Sequence, residues 1–201
     1  MGGLIQKTLL IVGVALLLVG CTPKYNDPKP QRPTRGAASA TVLVEEFADF
    51  ECPACGLAYP TIKKLQEKYG DSVFWKFYEF PLISIHPYAF NAALAAECAN
   101  DQGKFWEMHD ILFENQKALK NGDLNTYASR VDLDTELYTA CFKSRAKSSV
   151  VREDMQIGDK RGVQGTPTLF VNGTVVEDWS TLETALDALV PAVTAQEPTN
   201  E

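Results

Sequence analysis

The order of hydrophobic patterns predicts an α/β fold in two halves, β-α-β and α-β-β-α, separated by a block of helices. Three observations carry that prediction. A buried-strand pattern passes directly into a helical one at Cys52-Pro53-Ala54-Cys55. Four helical segments then follow with no strand between them. Two short apolar runs near the C-terminus are separated only by Asn172-Gly173, the strongest short-range hairpin signal.

Each element has its own warrant. Thr41 to Ala48 is rich in β-branched and apolar residues and reads as a buried strand. From Cys55 the apolar positions fall at Ala58, Tyr59, Ile62, Leu65 and Tyr69, a helical spacing that stops at Gly70, with Pro60 inside it. Ser72 to Phe80 alternates in part and ends at Pro81, a second strand. Helices are predicted over 87–100, 104–116, 124–130 and 135–143, bounded by Gly103, Gly122 and Asp132-Leu133-Asp134. A further helix over 146–160 leads to Gly162, the hairpin strands start at Thr168 and Thr174, and a last helix spans 182–189.

The cysteine pair carries the chemistry. Two thiols at this spacing on the first turn of a helix can close into a small disulfide. The helix N-terminus offers unpaired N–H groups and a positive dipole end, both of which favour a thiolate on Cys52. That arrangement suits thiol–disulfide exchange, with Cys52 the exposed nucleophile and Cys55, one turn in and facing the core, the resolving thiol. Glu45, Glu46, Asp49 and Glu51 lie just upstream, and any of them close to Cys52 would raise its pKa.

The ends are read separately from the fold. Residues 1–20 pair Lys7 with an apolar run from Leu9 to Val19, shorter than the about 20 residues a membrane span needs and of signal-peptide length. The run closes in Leu18-Val19-Gly20-Cys21, which resembles the bacterial lipobox, so Cys21 is expected to carry lipid. Residues 21–40 read as a proline-rich tether with a net charge of +3, while residues 41–201 hold 14 Lys/Arg against 25 Asp/Glu, a net of −11. No basic patch for nucleic acid appears. With Cys21 set aside, four cysteines remain of five, in a compartment where disulfides persist. Residues 191–201 read as a disordered tail.

With Phe47-Ala48-Asp49-Phe50-Glu51-Cys52-Pro53-Ala54-Cys55, the run from Gln102 to Asp110 with Leu112-Phe113, Gly162 to Thr168, and Val171-Asn172-Gly173, the chain resembles the DsbA-like oxidoreductases of the bacterial envelope. The resemblance covers residues 41–190. It implies a thioredoxin core at 41–82 and 146–190 with a helical insertion at 83–145. It implies that Glu46 is a buried acid beneath Cys55, able to shuttle its proton. It also implies that Thr166-Pro167 is a cis-proline loop facing the pair, so that Thr166 and Pro167, with Pro53 and Ala54 of the dipeptide, meet the substrate chain. Because Glu45 and Glu46 point to opposite faces of their strand, one of the two is expected to be buried, and Glu46 is favoured. Strongly oxidising relatives often carry a histidine in the dipeptide; Pro53-Ala54 lacks one, so an oxidant of moderate strength is expected.

Cys98 shares a helical face with Phe90 and Leu94, and Cys141 with Leu133 and Leu137, so both thiols point into the insertion's core. A structural disulfide, two buried free thiols and a second redox relay are all compatible with that placement. His86 and His109 do not complete a metal site with the cysteines, and Phe105, Trp106 and Phe113 read as insertion core. No metal and no cofactor is expected. The combined reading is a lipid-anchored, monomeric envelope enzyme that passes its disulfide to exported cysteine-containing proteins and is reoxidised by a quinone-linked membrane partner. A reductase or isomerase with the same site is the alternative, and a tethered chaperone or metal-binding lipoprotein is the alternative from another class.

Overall fold

The computed structural model describes residues 31–190. The predicted signal peptide, Cys21 and the predicted tail after residue 190 lie outside the described residues.

The first predicted strand is β2 (Val42–Ala48), parallel to β3 (Val73–Glu79), with α1 (Pro53–Tyr69) as the crossover between them. β4 (Thr168–Val171) runs antiparallel to β2 on its other side, and β5 (Thr174–Val176) antiparallel to β4. Asn172 and Gly173 take φ of 48° and 82°, the two left-handed positions that a tight hairpin of this kind requires. The sheet order is β1-β3-β2-β4-β5, with β1 (Thr34–Arg35) a short edge strand.

β1 (Thr34–Arg35) was not expected. The predicted tether through residue 40 is corrected by the structure, which lays the chain from residue 31 onward against the sheet edge. Thr34 and Arg35 pair with Lys76 and Trp75. Arg32 reaches the fully buried Asp154 at 2.6 Å, the Trp106 indole donates to the Thr34 carbonyl at 2.9 Å, and Arg35 stacks 4.4 Å from the Trp106 ring centroid. Both arginines find partners on elements far away in sequence, which composition cannot reveal.

The insertion comprises α2 (Ala89–Asn100), α3 (Phe105–Glu114), α4 (Asn121–Arg130) and α5 (Thr135–Ser144), and α6 (Ser148–Lys160) leads back to the sheet. Asp134 caps α5 by accepting from Glu136 and Leu137 N–H at 2.9 and 3.0 Å. α2 is alanine-rich and buried on every side, so its neighbours approach closely around it. Cys98 of α2 is bonded to Cys141 of α5. Leu137, expected on the same inward face, is 53% exposed; Tyr138 takes the inward position beside Cys141.

One face of the sheet packs Val42, Val44 and Trp75 against Ala58, Ile62 and Leu65 of α1 and against Leu182 and Leu186 of α7 (Leu182–Asp187). The opposite face stacks Phe47, Tyr78, Phe80 and Phe170 beneath Met155 and Ile157 of α6. A third cluster is continuous from Cys52, Cys55 and Tyr59 through Phe77 into Phe105, Leu112 and Tyr138. The thiol pair and the insertion therefore share one core.

Candidate active site

Cys52 is the N-cap of α1 and Pro53 its first helical residue, where the missing proline N–H would have had no partner anyway. Cys52 and Cys55 are both free thiols here. The Thr166–Pro167 peptide is cis, and the Cys52 S–H points to the Thr166 carbonyl at 3.3 Å, bringing together groups 114 residues apart. Pro53 and Ala54 are exposed on the first turn beside the thiol. Cys52 itself is only 7% exposed, less open than expected for a nucleophile, because the 165–168 loop covers it.

The two thiols have opposite tendencies. The facing Cys55 side chain is the largest influence on Cys52; burial opposes it, and Thr166 with the backbone of Cys55 and Ala54 brings the Cys52 pKa down to about 5. Cys55 is pushed well above its ordinary value, first by burial and then by its hydrogen bond to Cys52 and by the charge there. One sulfur is thus a thiolate at neutral pH and the other holds its proton.

The upstream carboxylates divide in an unforeseen way. Glu45 and Glu46 are both buried, at 8% and 5% exposure, against the expectation that only one would be. The sheet is covered on both faces, and Glu45 survives burial because Arg161 pairs with it at 2.9 Å and the Tyr78 hydroxyl donates to it at 3.0 Å. Glu46 lies on the α1 side of β2, between Val44 and Ala48, and makes no hydrogen bond among the described residues. Burial alone raises its pKa to about 8. The Asp49 carboxylate accepts from Glu51 N–H at 2.7 Å, from Leu82 N–H at 2.8 Å, and from the His86 ring at 2.7 Å. Glu51 accepts from Tyr88 N–H at 2.6 Å. The segment 81–88 is thereby stitched to the turn that carries Cys52.

Two residues of this site escaped the sequence reading. His86 had no spacing that tied it to the cysteines. Gln116 follows α3 as an ordinary polar residue, yet its side-chain amide donates to the Phe50 and Cys52 carbonyls. His109 is enclosed instead by Phe50, Tyr59, Phe77, Phe105, Trp106 and Phe113, and burial lowers its pKa. Among the described residues, no group of three His, Cys, Asp or Glu side chains is placed to hold a metal ion.

A Cys-x-x-Cys at the start of the first long helix, covered by a proline loop and set on this sheet order, defines a thioredoxin-fold thiol–disulfide oxidoreductase. The chain belongs to the thioredoxin family, whose Thioredoxin_4 model matches residues 29–189, and it is a DsbA-like member of it. It superimposes on a thioredoxin-like oxidoreductase from Silicibacter pomeroyi with a TM-score of 0.69 and 27% identity, covering 78% of this chain and 91% of that one. For oxidised BdbD from Bacillus subtilis the TM-score is 0.68 and the identity 27%, with 78% and 90% covered. In sequence it is 45% identical over 139 residues to a protein from Salinispora tropica named Na(+)/H(+) antiporter NhaA 3. That match covers 69% of this chain and 21% of the antiporter, so the chain spans about a fifth of that much longer relative.

Proposed function

We propose that the chain donates the Cys52–Cys55 disulfide to exported proteins on the extracytoplasmic side of a bacterial membrane. The observation that carries this reading is the asymmetry of the pair, with Cys52 at about 5 and Cys55 far above it. A low-pKa thiolate is a good leaving group and a stable reduced product, and both favour giving the disulfide away. A value of about 5 lies between the about 7 of thioredoxin and the about 3.5 of DsbA, consistent with an oxidant of moderate strength.

The proposed sequence of steps balances without a cofactor. A substrate thiolate attacks Cys52 of the oxidised pair, and Cys55 departs and takes a proton. Glu46, protonated at neutral pH, is the proposed donor. A second substrate thiolate attacks the substrate's own sulfur in the mixed disulfide and releases Cys52 as thiolate. Two substrate thiols thus lose two electrons and two protons; one proton stays on Cys55 and one leaves. Thr166 and Pro167, with Pro53 and Ala54, border the place where the substrate chain lies, and a quinone-linked membrane partner reoxidises the pair.

The lipobox-like Cys21 would hold this monomeric domain at the membrane. The Salinispora tropica protein offers a parallel, since there a similar segment is part of a protein named Na(+)/H(+) antiporter NhaA 3. The test is equilibration with glutathione. A potential toward about −120 mV marks a disulfide donor, and one near about −270 mV makes the enzyme a reductase instead. A Cys55→Ala variant that traps no mixed disulfide with reduced, unfolded protein would end the oxidoreductase reading altogether.

A further inference from the structure

Segment 81–88 carries one imidazole, His86, and it is pinned rather than loose. Asp49 is fully buried and takes His86 on the same carboxylate oxygen that accepts from Leu82 N–H. The Asp49 carbonyl accepts from the Cys52 N–H at 3.1 Å. The imidazole and the Cys52 backbone are thus fastened to the two ends of one buried residue. A carboxylate at this distance fixes the Nδ1–H tautomer and leaves Nε2 to take the second proton. The charged and titratable groups that act on His86 are Asp49 and Glu51 from the turn after β2, and Cys52 from the start of α1. Of these, only Cys52 changes its charge during the redox cycle.

We propose that His86, carried on the Asp49 carboxylate, is a cation coupled to the Cys52 thiolate across their shared anchor Asp49, and that it takes up a proton when the pair is reduced. The inference rests on the reading of Cys52 as the reactive thiolate. In the reaction, a substrate dithiol and the Cys52–Cys55 disulfide give a substrate disulfide, the Cys52 thiolate, the Cys55 thiol and one proton. Where His86 is neutral in the oxidised protein, that proton goes to Nε2 rather than to solvent.

The electrostatics favour this role. Burial pulls the His86 pKa down, but the hydrogen bond and charge of Asp49, followed by the charges of Cys52 and Glu51, leave it above its ordinary 6.5. The coupling is reciprocal: a thiolate that favours the imidazolium is itself favoured by it, to the same extent. A histidine distant in sequence thereby supplies the positive charge that the Pro53-Ala54 dipeptide lacks. His86 makes the reduced state more stable and the site more oxidising; it stores charge and a proton beside the pair and is not a nucleophile.

The chain contains only two histidines, so the test is clean. The ring protons of His86 and His109 are titrated by NMR in the oxidised and the dithiothreitol-reduced protein, with Cys52→Ser as a thiolate-free reference. The expected result is a His86 midpoint higher in the reduced than in the oxidised protein, with the difference absent in Cys52→Ser and with His109, enclosed by aromatic rings, unmoved. Equal His86 midpoints in the two redox states overturn the proposal without any engineered variant. His86→Gln keeps a donor for Asp49 and removes the charge. It is expected to raise the Cys52 midpoint, followed by thiolate absorbance, and to shift the equilibrium with glutathione by on the order of tenfold, about 30 mV, toward a weaker oxidant. An unchanged Cys52 midpoint in that variant also overturns the proposal. A wild-type Cys52 midpoint near the ordinary cysteine value would remove the reading of the pair itself, so the two failures are told apart.

Discussion

The Gln116 side-chain amide spans the carbonyl oxygens of Phe50 and Cys52, at 2.9 and 2.8 Å, and so ties the helical insertion to the turn that presents the reactive thiol. The approach is close enough that a Cβ on Gly56 would stand 2.0 Å from Gln116 Oε1. Gln116→Ala leaves two partly buried carbonyls without this donor and is expected to lower stability by about 1–3 kcal/mol. Gly56→Ala should be similarly harmful alone and much less so in the Gln116→Ala background, since the group it strikes is gone. Denaturant unfolding of the four proteins of that cycle checks this; additive losses would mean that the two residues act separately.

Arg32 makes a second long-range tie. It pairs with Asp154, whose side chain is fully buried and whose pKa burial raises to about 6 in spite of the arginine. Arg32→Ala strands that carboxylate and is expected to cost about 3–5 kcal/mol. The folded pKa lies above the unfolded 3.8, so the folded state retains the Asp154 proton through a window where the unfolded chain has lost it. Stability therefore falls as pH rises through about 6, and removing the cation deepens that fall. The loss in Arg32→Ala should be greater at pH values above about 6 than below, as urea midpoints at two pH values would show.

The Cys98–Cys141 bond closes a loop with a sequence separation of 43, far from the reactive pair in the chain. For a loop of that size the chain-entropy description gives about 4 kcal/mol. A Cys98→Ala, Cys141→Ala double variant should lose stability of that order yet retain thiol oxidation at low temperature. Loss of turnover in a folded double variant would instead favour a redox relay through this second pair.

Glu46 supplies the pH signature. Its folded pKa of about 8 stands above the ordinary 4.5, so stability contributed by the protonated carboxyl is complete below 4.5 and is lost as pH rises through about 8. Glu46→Gln should therefore gain stability over the wild type progressively across that window. If Glu46 is the donor proposed above, the same variant is expected to oxidise a dithiol substrate about 100-fold more slowly at neutral pH. Above about 8 the wild type has lost that proton as well, so the two rates should converge there. Stopped-flow rates taken as a ratio across pH remove the contribution of substrate ionisation. A ratio that stays flat would leave Glu46 with a packing role only.

The sequence by itself determined what depends on local pattern. A strand rich in β-branched and apolar residues, a helix opened by Cys52 and Pro53, and an Asn172-Gly173 turn with its two positive φ values are specified within a few residues, because backbone geometry and side-chain period are short-range. Only the tertiary structure decided which polar groups meet. Glu45 is buried with Arg161, 116 positions further along, and Asp49 holds His86 across the sheet end. Residues 31–36 dock where Asp154 and Trp106 receive them, and Leu137 turns outward while Tyr138 fills the core. A buried charge is tolerated only where a partner arrives with the right geometry. That partner comes from packing between elements, which no local spacing encodes.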